Sequence, residues 1–263
     1  MCEYCAEHGN GKKWFLNVDN YAKKITDQAT ASDREIIMND HVQYLLNGKW
    51  PMSKHVKKMM GSLIKSKFLG KKYYEKFWES WHLGQVVSNS EAKDVLNLAG
   101  NEVVVLECLC RKMNSKEDCQ SCFGLSLFGD LVKQNLNNTQ FKTVSIGTAI
   151  EMMDNFEQEN GWYHSVWSLK SPYLAYLCNC NDKACMGMIE KRKNRNIMHK
   201  GHHISTTNKS KCDGCGDCVS VCQFAARSMN MDNIPVVNEN CHGCGVCSTM
   251  CEPGAISLKS RTS

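Results

Sequence analysis

Eight of the seventeen cysteines lie near the carboxyl end in two runs of identical spacing. Each run reads C-x2-C-x2-C-x3-C. The first run comprises Cys212, Cys215, Cys218 and Cys222, and the second comprises Cys241, Cys244, Cys247 and Cys251. A cubane iron–sulfur cluster needs four thiolate ligands, and three cysteines spaced in this way in a tight loop can wrap three corners of one cube. The two runs therefore predict two [4Fe-4S] clusters.

The fourth ligand of each cube must come from outside its own loop. In this motif the fourth cysteine of each run binds the cluster of the other run, so that the module forms one cooperative unit. We expect one cluster on Cys212, Cys215, Cys218 and Cys251, and the other on Cys241, Cys244, Cys247 and Cys222. Zinc is the alternative for paired C-x2-C motifs, but two matching runs of four cysteines are much more specific for iron–sulfur clusters.

The segment around these runs, residues 203–260, resembles the two-cluster bacterial-type [4Fe-4S] ferredoxin domain. The resemblance is carried by the cysteine spacing and by the glycines inside the runs, Gly214, Gly216, Gly243 and Gly245. It implies a ferredoxin-like fold and one-electron transfer. One position departs from the family pattern, because Gln223 follows the first run where the family usually has proline.

Seven further cysteines occupy the middle of the chain: Cys108, Cys110, Cys119, Cys122, Cys178, Cys180 and Cys185. Two C-x-C pairs stand at the ends of predicted strands, so four thiolates can face one site. We expect a third iron–sulfur cluster here, with zinc or unliganded thiols as alternatives and the ligand subset open. These motifs resemble a pair found upstream of ferredoxin domains in poorly characterised iron–sulfur proteins of anaerobes, which implies no assigned reaction.

Three other groups receive simpler interpretations. Cys2 and Cys5, with His8, are either part of a further site or incidental thiols of a mobile terminus. His202 and His203 are expected to be exposed loop residues. The lysines between residues 54 and 72 are interpreted as a solvated face, and the aromatic residues between 74 and 81 as core.

The local patterns predict an α+β chain with three regions. Residues 1–86 form a helical region, residues 87–200 a mixed, winged-helix-like and cysteine-rich region, and residues 201–263 the ferredoxin-like dicluster domain. In the middle region, a capping box at Thr148 and Glu151 predicts a helix that ends at Gly161, followed by strands over 162–169 and 173–177. Residues 186–210 are polar and basic, which predicts a linker or an exposed loop.

Composition narrows the function classes. The formal charge of +5 falls close to neutral once eight thiolates and two oxidised cluster cores are counted, so a nucleic-acid partner is not supported. The abundance of cysteine favours metal or redox chemistry in a reducing compartment and an oxygen-poor cell. No signal peptide or membrane-spanning run is recognised, so the expected location is the cytoplasm.

These observations favour an electron-transfer protein over an enzyme acting alone. We expect a carrier, or the electron-wiring subunit of a larger anaerobic oxidoreductase, with a redox protein or catalytic subunit as its partner. One alternative is a redox-sensing DNA-binding regulator, opposed by four carboxylates on its expected recognition helix: Glu151, Asp154, Glu157 and Glu159. Another is an enzyme that uses an open iron corner in the middle region.

Overall fold

The structure is a computed structural model that describes residues 3–21, 30–31, 84–170, 173–193 and 196–261. Most of the region predicted as helical, with its lysines and its 74–81 aromatic residues, lies outside the described residues, and so does Cys2. The described residues combine helices with three sheets, which confirms the α+β class. The amino-terminal part forms helix α1 (Glu3–His8) and two 3-10 turns, Trp14–Leu16 and Val18–Asn20.

A seven-stranded sheet occupies the middle region. Its strands are β1 (Gly84–Val87), β2 (Glu102–Glu107), β3 (Gln120–Gly124), β4 (Phe141–Ser145), β5 (Tyr163–Lys170), β6 (Tyr173–Cys180) and β7 (Met198–His199). They are ordered β4-β2-β3-β6-β5-β1-β7, and all neighbours are antiparallel except β1 and β7. The predicted hairpin is present as β5 and β6. It lies inside the sheet, between β1 and β3, so the winged-helix topology is not confirmed.

Five helices accompany this sheet: α2 (Asn89–Leu98), α3 (Leu109–Ser115), α4 (Ser126–Asn135), α5 (Ile146–Asn160) and α6 (Met186–Arg192). Strand β2 shows why its sequence is continuously apolar. Val103 and Val105 pack into the core that includes residues of α2 and α5, whereas Val104 and Leu106 pack into the core formed with α4. Alternate side chains point to opposite faces, and both faces of this strand are covered.

The ends of α5 test the helix prediction. Its amino-terminal cap is Ser145, whose side chain accepts a hydrogen bond from the Thr148 backbone N–H, so the helix begins before the predicted capping box. The predicted end is confirmed, because Gly161 caps the helix with a φ of 63° that favours glycine.

The predicted linker over 186–210 is wrong. This stretch contains α6, β7 and strand β8 (His203–Thr207). Strand β7 pairs with β1, and the Gly201 N–H donates to the His242 carbonyl oxygen at 2.9 Å. Because main-chain hydrogen bonds do not require apolar side chains, the polar composition concealed these elements.

The carboxyl-terminal part is built from two short sheets and two short helices. Helices α7 (Asp217–Ser220) and α8 (Val246–Thr249) follow the first two cysteines of each run and contain the third, and β9 (Arg227–Met229) pairs with β10 (Pro235–Val237). Strand β8 pairs along its whole length with β11 (Ile256–Ser260). The first and last strands of the carboxyl-terminal part are therefore paired with each other. The domain boundaries at 86/87 and 200/201 stay predictions.

Among the described residues, no helix combines the length and the apolarity that a membrane span requires.

Candidate metal centres

The structure gathers the eight carboxyl-terminal cysteines into two pockets. The first pocket is lined by Cys212, Cys215, Cys218 and Cys251, and the second by Cys222, Cys241, Cys244 and Cys247. Each pocket thus takes three cysteines from one run and the fourth from the other. These are the two sets that the spacing predicts.

Glycines make the tight loops of these pockets possible. Gly216 and Gly245 precede α7 and α8 with φ values of 84° and 95°, a region that side chains rarely adopt. Gly243 has a φ of 72°, and a Cβ placed on it would lie 2.0 Å from the His203 carbonyl oxygen. A side chain at position 243 would therefore force the second loop away from β8.

Hydrogen-bond donors reach the sulfur atoms in matched positions. The Ala226 N–H donates to Cys222 Sγ, and the Ala255 N–H donates to Cys251 Sγ, each at 3.3 Å. The Ser205 hydroxyl lies 3.5 Å from Cys241 Sγ. Donors to ligand sulfurs stabilise the more negative, reduced form of a cluster. The donor set and its surroundings fit two cubane clusters.

A buried arginine lies between the two pockets. Arg227 is 5% exposed, and its Nη1 lies 3.1 Å from Thr207 Oγ1 and 3.8 Å from Cys218 Sγ. Burial raises the pKa of Cys218 and of Cys247, and the Arg227 guanidinium opposes this rise at both thiols. The same cation therefore favours thiolate in both pockets.

The pockets differ in their access to solvent. Cys215 of the first pocket is exposed, whereas Cys241 and Cys247 of the second are buried. Burial also raises the pKa of Cys244 well above its usual value, so this thiol stays protonated unless a bound cation takes the place of its proton. The first pocket faces the surface and the second faces the seven-stranded sheet.

Several side chains attach the second pocket to the middle region. Gln223 Nε2 donates to the Gly161 carbonyl oxygen at 3.1 Å, and its Oε1 accepts from the Asp182 N–H at 3.0 Å. A proline here, as in the family pattern, could make neither bond. The Thr249 hydroxyl donates to Glu157 Oε1 at 2.6 Å.

The middle cysteines divide into groups. Cys108, Cys110, Cys180 and Cys185 influence one another's ionisation at one end of the sheet. Cys122 and Cys178 are register partners on β3 and β6, and Cys178 also contacts Cys180, so Cys178 lies between the two groups. Cys119 lines a separate surface groove with Leu106 and Gln140.

The spacing of these thiols is not that of a mononuclear site. Across the described residues, no three His, Cys, Asp or Glu side chains converge closely enough to share one metal ion. The same is true of the thiols in the two carboxyl-terminal pockets. A cubane binds each thiolate at a different iron corner, so its ligands lie farther apart than those of a single metal ion.

Predictions for the amino-terminal cysteine and the histidine pair require correction. Cys5 is fully buried, and its Sγ lies 3.2 Å from His202 Nε2. His202 and His203 are partly buried, and His203 begins β8, so neither is an exposed loop residue.

Sequence reasoning missed Arg227 and Tyr163 as site residues, because no local pattern marks the burial of a single polar side chain.

Comparison with known proteins supports the carboxyl-terminal assignment. Residues 206–228 match a family model described as a 4Fe-4S binding domain, and this match includes the whole first cysteine run. No curated protein matches the chain. The protein therefore contains a ferredoxin-like iron–sulfur domain that binds at least one [4Fe-4S] cluster.

Proposed function

We propose that this protein transfers electrons one at a time through two [4Fe-4S] clusters in its carboxyl-terminal part. It serves as a carrier or, since much of the chain lies outside that part, as the electron-wiring subunit of a larger oxidoreductase. The supporting observation is the pair of pockets, each lined by four cysteines with one exchanged between the runs. When bound, the clusters supply reversible one-electron chemistry.

The residues around the pockets have distinct tasks in this proposal. Arg227 and the Ala226 and Ala255 N–H groups stabilise the negative charge that reduction adds. The apolar residues around the second pocket, among them Phe224 and Val246, exclude water from it. The exposed edge at Cys215 gives a redox partner close access to the first pocket. The partner, the cytoplasmic location and the anaerobic setting stay predictions.

The two alternatives gain no specific observation in their favour. Four carboxylates on α5 were expected to repel DNA phosphates. Glu157 is fully buried and Asp154 pairs with Lys93 at 2.9 Å, so this repulsion is weaker than predicted. However, the hairpin expected as a wing lies inside the seven-stranded sheet.

The exchange of ligands provides the test. Iron and acid-labile sulfide are measured per chain after anaerobic purification, and about eight of each belong to two clusters. We expect Cys222→Ala and Cys251→Ala each to lose both terminal clusters, because each substitution opens one cube and disturbs the loop of the other. Cys5→Ala is the matched control, since this buried thiol contacts His202 and lines neither pocket.

Electron paramagnetic resonance of the reduced protein identifies which clusters remain. Clean retention of one intact cluster by each variant would contradict the exchange. Iron-free protein, even after anaerobic reconstitution, would refute the proposed function.

A further inference from the structure

We propose that Cys108, Cys110, Cys180 and Cys185 bind a third [4Fe-4S] cluster, which passes electrons to the second pocket past Tyr163. This assignment rests on the proposed function, because a third cluster is useful here only if the terminal pair transfers electrons. The proposal names four ligands among the seven middle cysteines, a choice that the sequence spacing alone left open.

The four thiols are brought together by elements distant in sequence. Cys108 and Cys110 lie at the junction of β2 and α3, and Cys180 and Cys185 flank the turn between β6 and α6. Cys108, Cys180 and Cys185 are at most 6% exposed. The thiols of Cys108 and Cys110 interact directly. Cys180 interacts with Cys178 and with Cys185, and its charge also acts on Cys108 and Cys110.

Two buried polar side chains point to an anionic ligand at this site. Arg111 is 1% exposed. Its Nη1 pairs at 3.1 Å with Glu117, a largely exposed carboxylate, whereas its Nε and Nη2 have no hydrogen-bond partner among the described residues. Its guanidinium carbon lies 3.7 Å from the centre of the Trp162 ring, and its charge favours the thiolate forms of Cys108 and Cys180. A buried cation with unmatched N–H groups is costly unless negative charge compensates it. A cubane with four thiolates carries such charge.

Tyr163 is the second of these side chains. It is fully buried, and its hydroxyl has no partner at hydrogen-bonding distance within the described part of the chain. The hydroxyl nevertheless lies near Cys185 of the middle site, and the charge of Cys244 in the second pocket also acts on it. Tyr163 therefore stands between the two sites.

One apolar cluster joins the middle site to the second pocket. It contains Cys180 and Cys185 together with Cys241, and Cys244 packs against it. The Tyr163 and Phe224 rings lie within it, with centres 4.8 Å apart. The Gln223 bonds described above hold this contact in place. The three sites thus follow one another in the order middle site, second pocket, first pocket, and the last of these reaches the surface at Cys215.

Of the remaining middle cysteines, Cys119 and Cys122 are excluded on position, and Cys178 is the one competitor that contacts the proposed set. Cys119 lines the groove at Leu106, and its carbonyl oxygen accepts from the Cys108 N–H at 2.8 Å. Cys122 faces Cys178 across the β3–β6 pair. Cys178 also contacts Cys180, which makes it the strongest competitor for a place in the ligand set.

Iron and sulfide counts on the full chain, reconstituted anaerobically, test the assignment. We expect about twelve of each per chain in the unmodified protein and about eight in Cys108→Ser and Cys180→Ser, with the resonance of the terminal pair retained. Cys119→Ser and Cys178→Ser are the matched controls and should retain about twelve. Zinc is measured in the same samples.

Each outcome decides between the two proposals. About eight iron atoms in the unmodified chain, with or without zinc, would overturn the third cluster and leave the two-cluster function intact. Absence of iron would overturn both. Loss of the third cluster from Cys178→Ser, or its retention in Cys180→Ser, would overturn the ligand set. The count on the unmodified chain decides the existence of the site even if a serine variant fails to fold.

Discussion

Arg227 provides a measurable link between structure and electron transfer. It is a buried cation whose Nη1 lies 3.8 Å from Cys218 Sγ, and its charge also acts on Cys247 of the other pocket. Replacing it with glutamine keeps a hydrogen-bond donor near Thr207 but removes the charge. Because reduction adds one electron to a cluster, a nearby cation favours the reduced state.

The size of the effect follows from Coulomb's law. The added charge is spread over a cluster and its sulfurs, so we take its separation from the guanidinium as roughly 7 Å, which gives about 2.4 kcal/mol at an effective dielectric constant of ~20. For a one-electron couple this corresponds to roughly 100 mV. We expect Arg227→Gln to lower the reduction potentials of both terminal clusters by about that amount, since the side chain lies between them.

Anaerobic potentiometric titration followed by electron paramagnetic resonance measures both potentials. Lys259→Gln is the matched control, because it removes the same charge from an exposed position of the same module and should shift the potentials little. Arg227→Lys should restore much of the loss. Potentials that rise in Arg227→Gln, or fall no further than in Lys259→Gln, would refute the reasoning.

Two further predictions concern the attachment and shape of the second pocket. Glu157 accepts hydrogen bonds from His164, Asn89 and Thr249, so Glu157→Gln should destabilise the fold by roughly 2–4 kcal/mol in anaerobic chemical denaturation. Burial raises the pKa of Glu157, but these partners lower it below its usual value. The stabilisation by Glu157 should therefore persist above about pH 4.5 and fall under more acid conditions. A Glu157→Gln variant as stable as the native protein at neutral pH would contradict this. Gly243→Ala should lose the second cluster, because the added Cβ would collide with the His203 carbonyl oxygen. Gly216→Ala is the control and should lose less iron, because a Cβ at that position meets no neighbouring atom. Equal iron content in the two variants would count against the role of the His203 contact.

The sequence by itself identified the two cysteine runs as cluster-binding motifs. It also predicted some of the local secondary structure. Three cysteines and their glycines form one short loop, so their chemistry is visible in spacing alone. The end of α5 at Gly161 and the hairpin that follows it are also local, since a left-handed cap and an alternating strand pattern depend on neighbouring residues.

Only the tertiary structure decided which distant groups meet. The polar stretch over 186–210 became ordered because its strands find main-chain partners in β1 and β11. Glu157, which belongs to a polar helix pattern, is buried because His164 and Thr249 arrive from other elements to satisfy it. Periodicity tells which face of an element is apolar, but it carries no information about the partner of a buried charge or thiol. The grouping of the seven middle cysteines depends on that missing information.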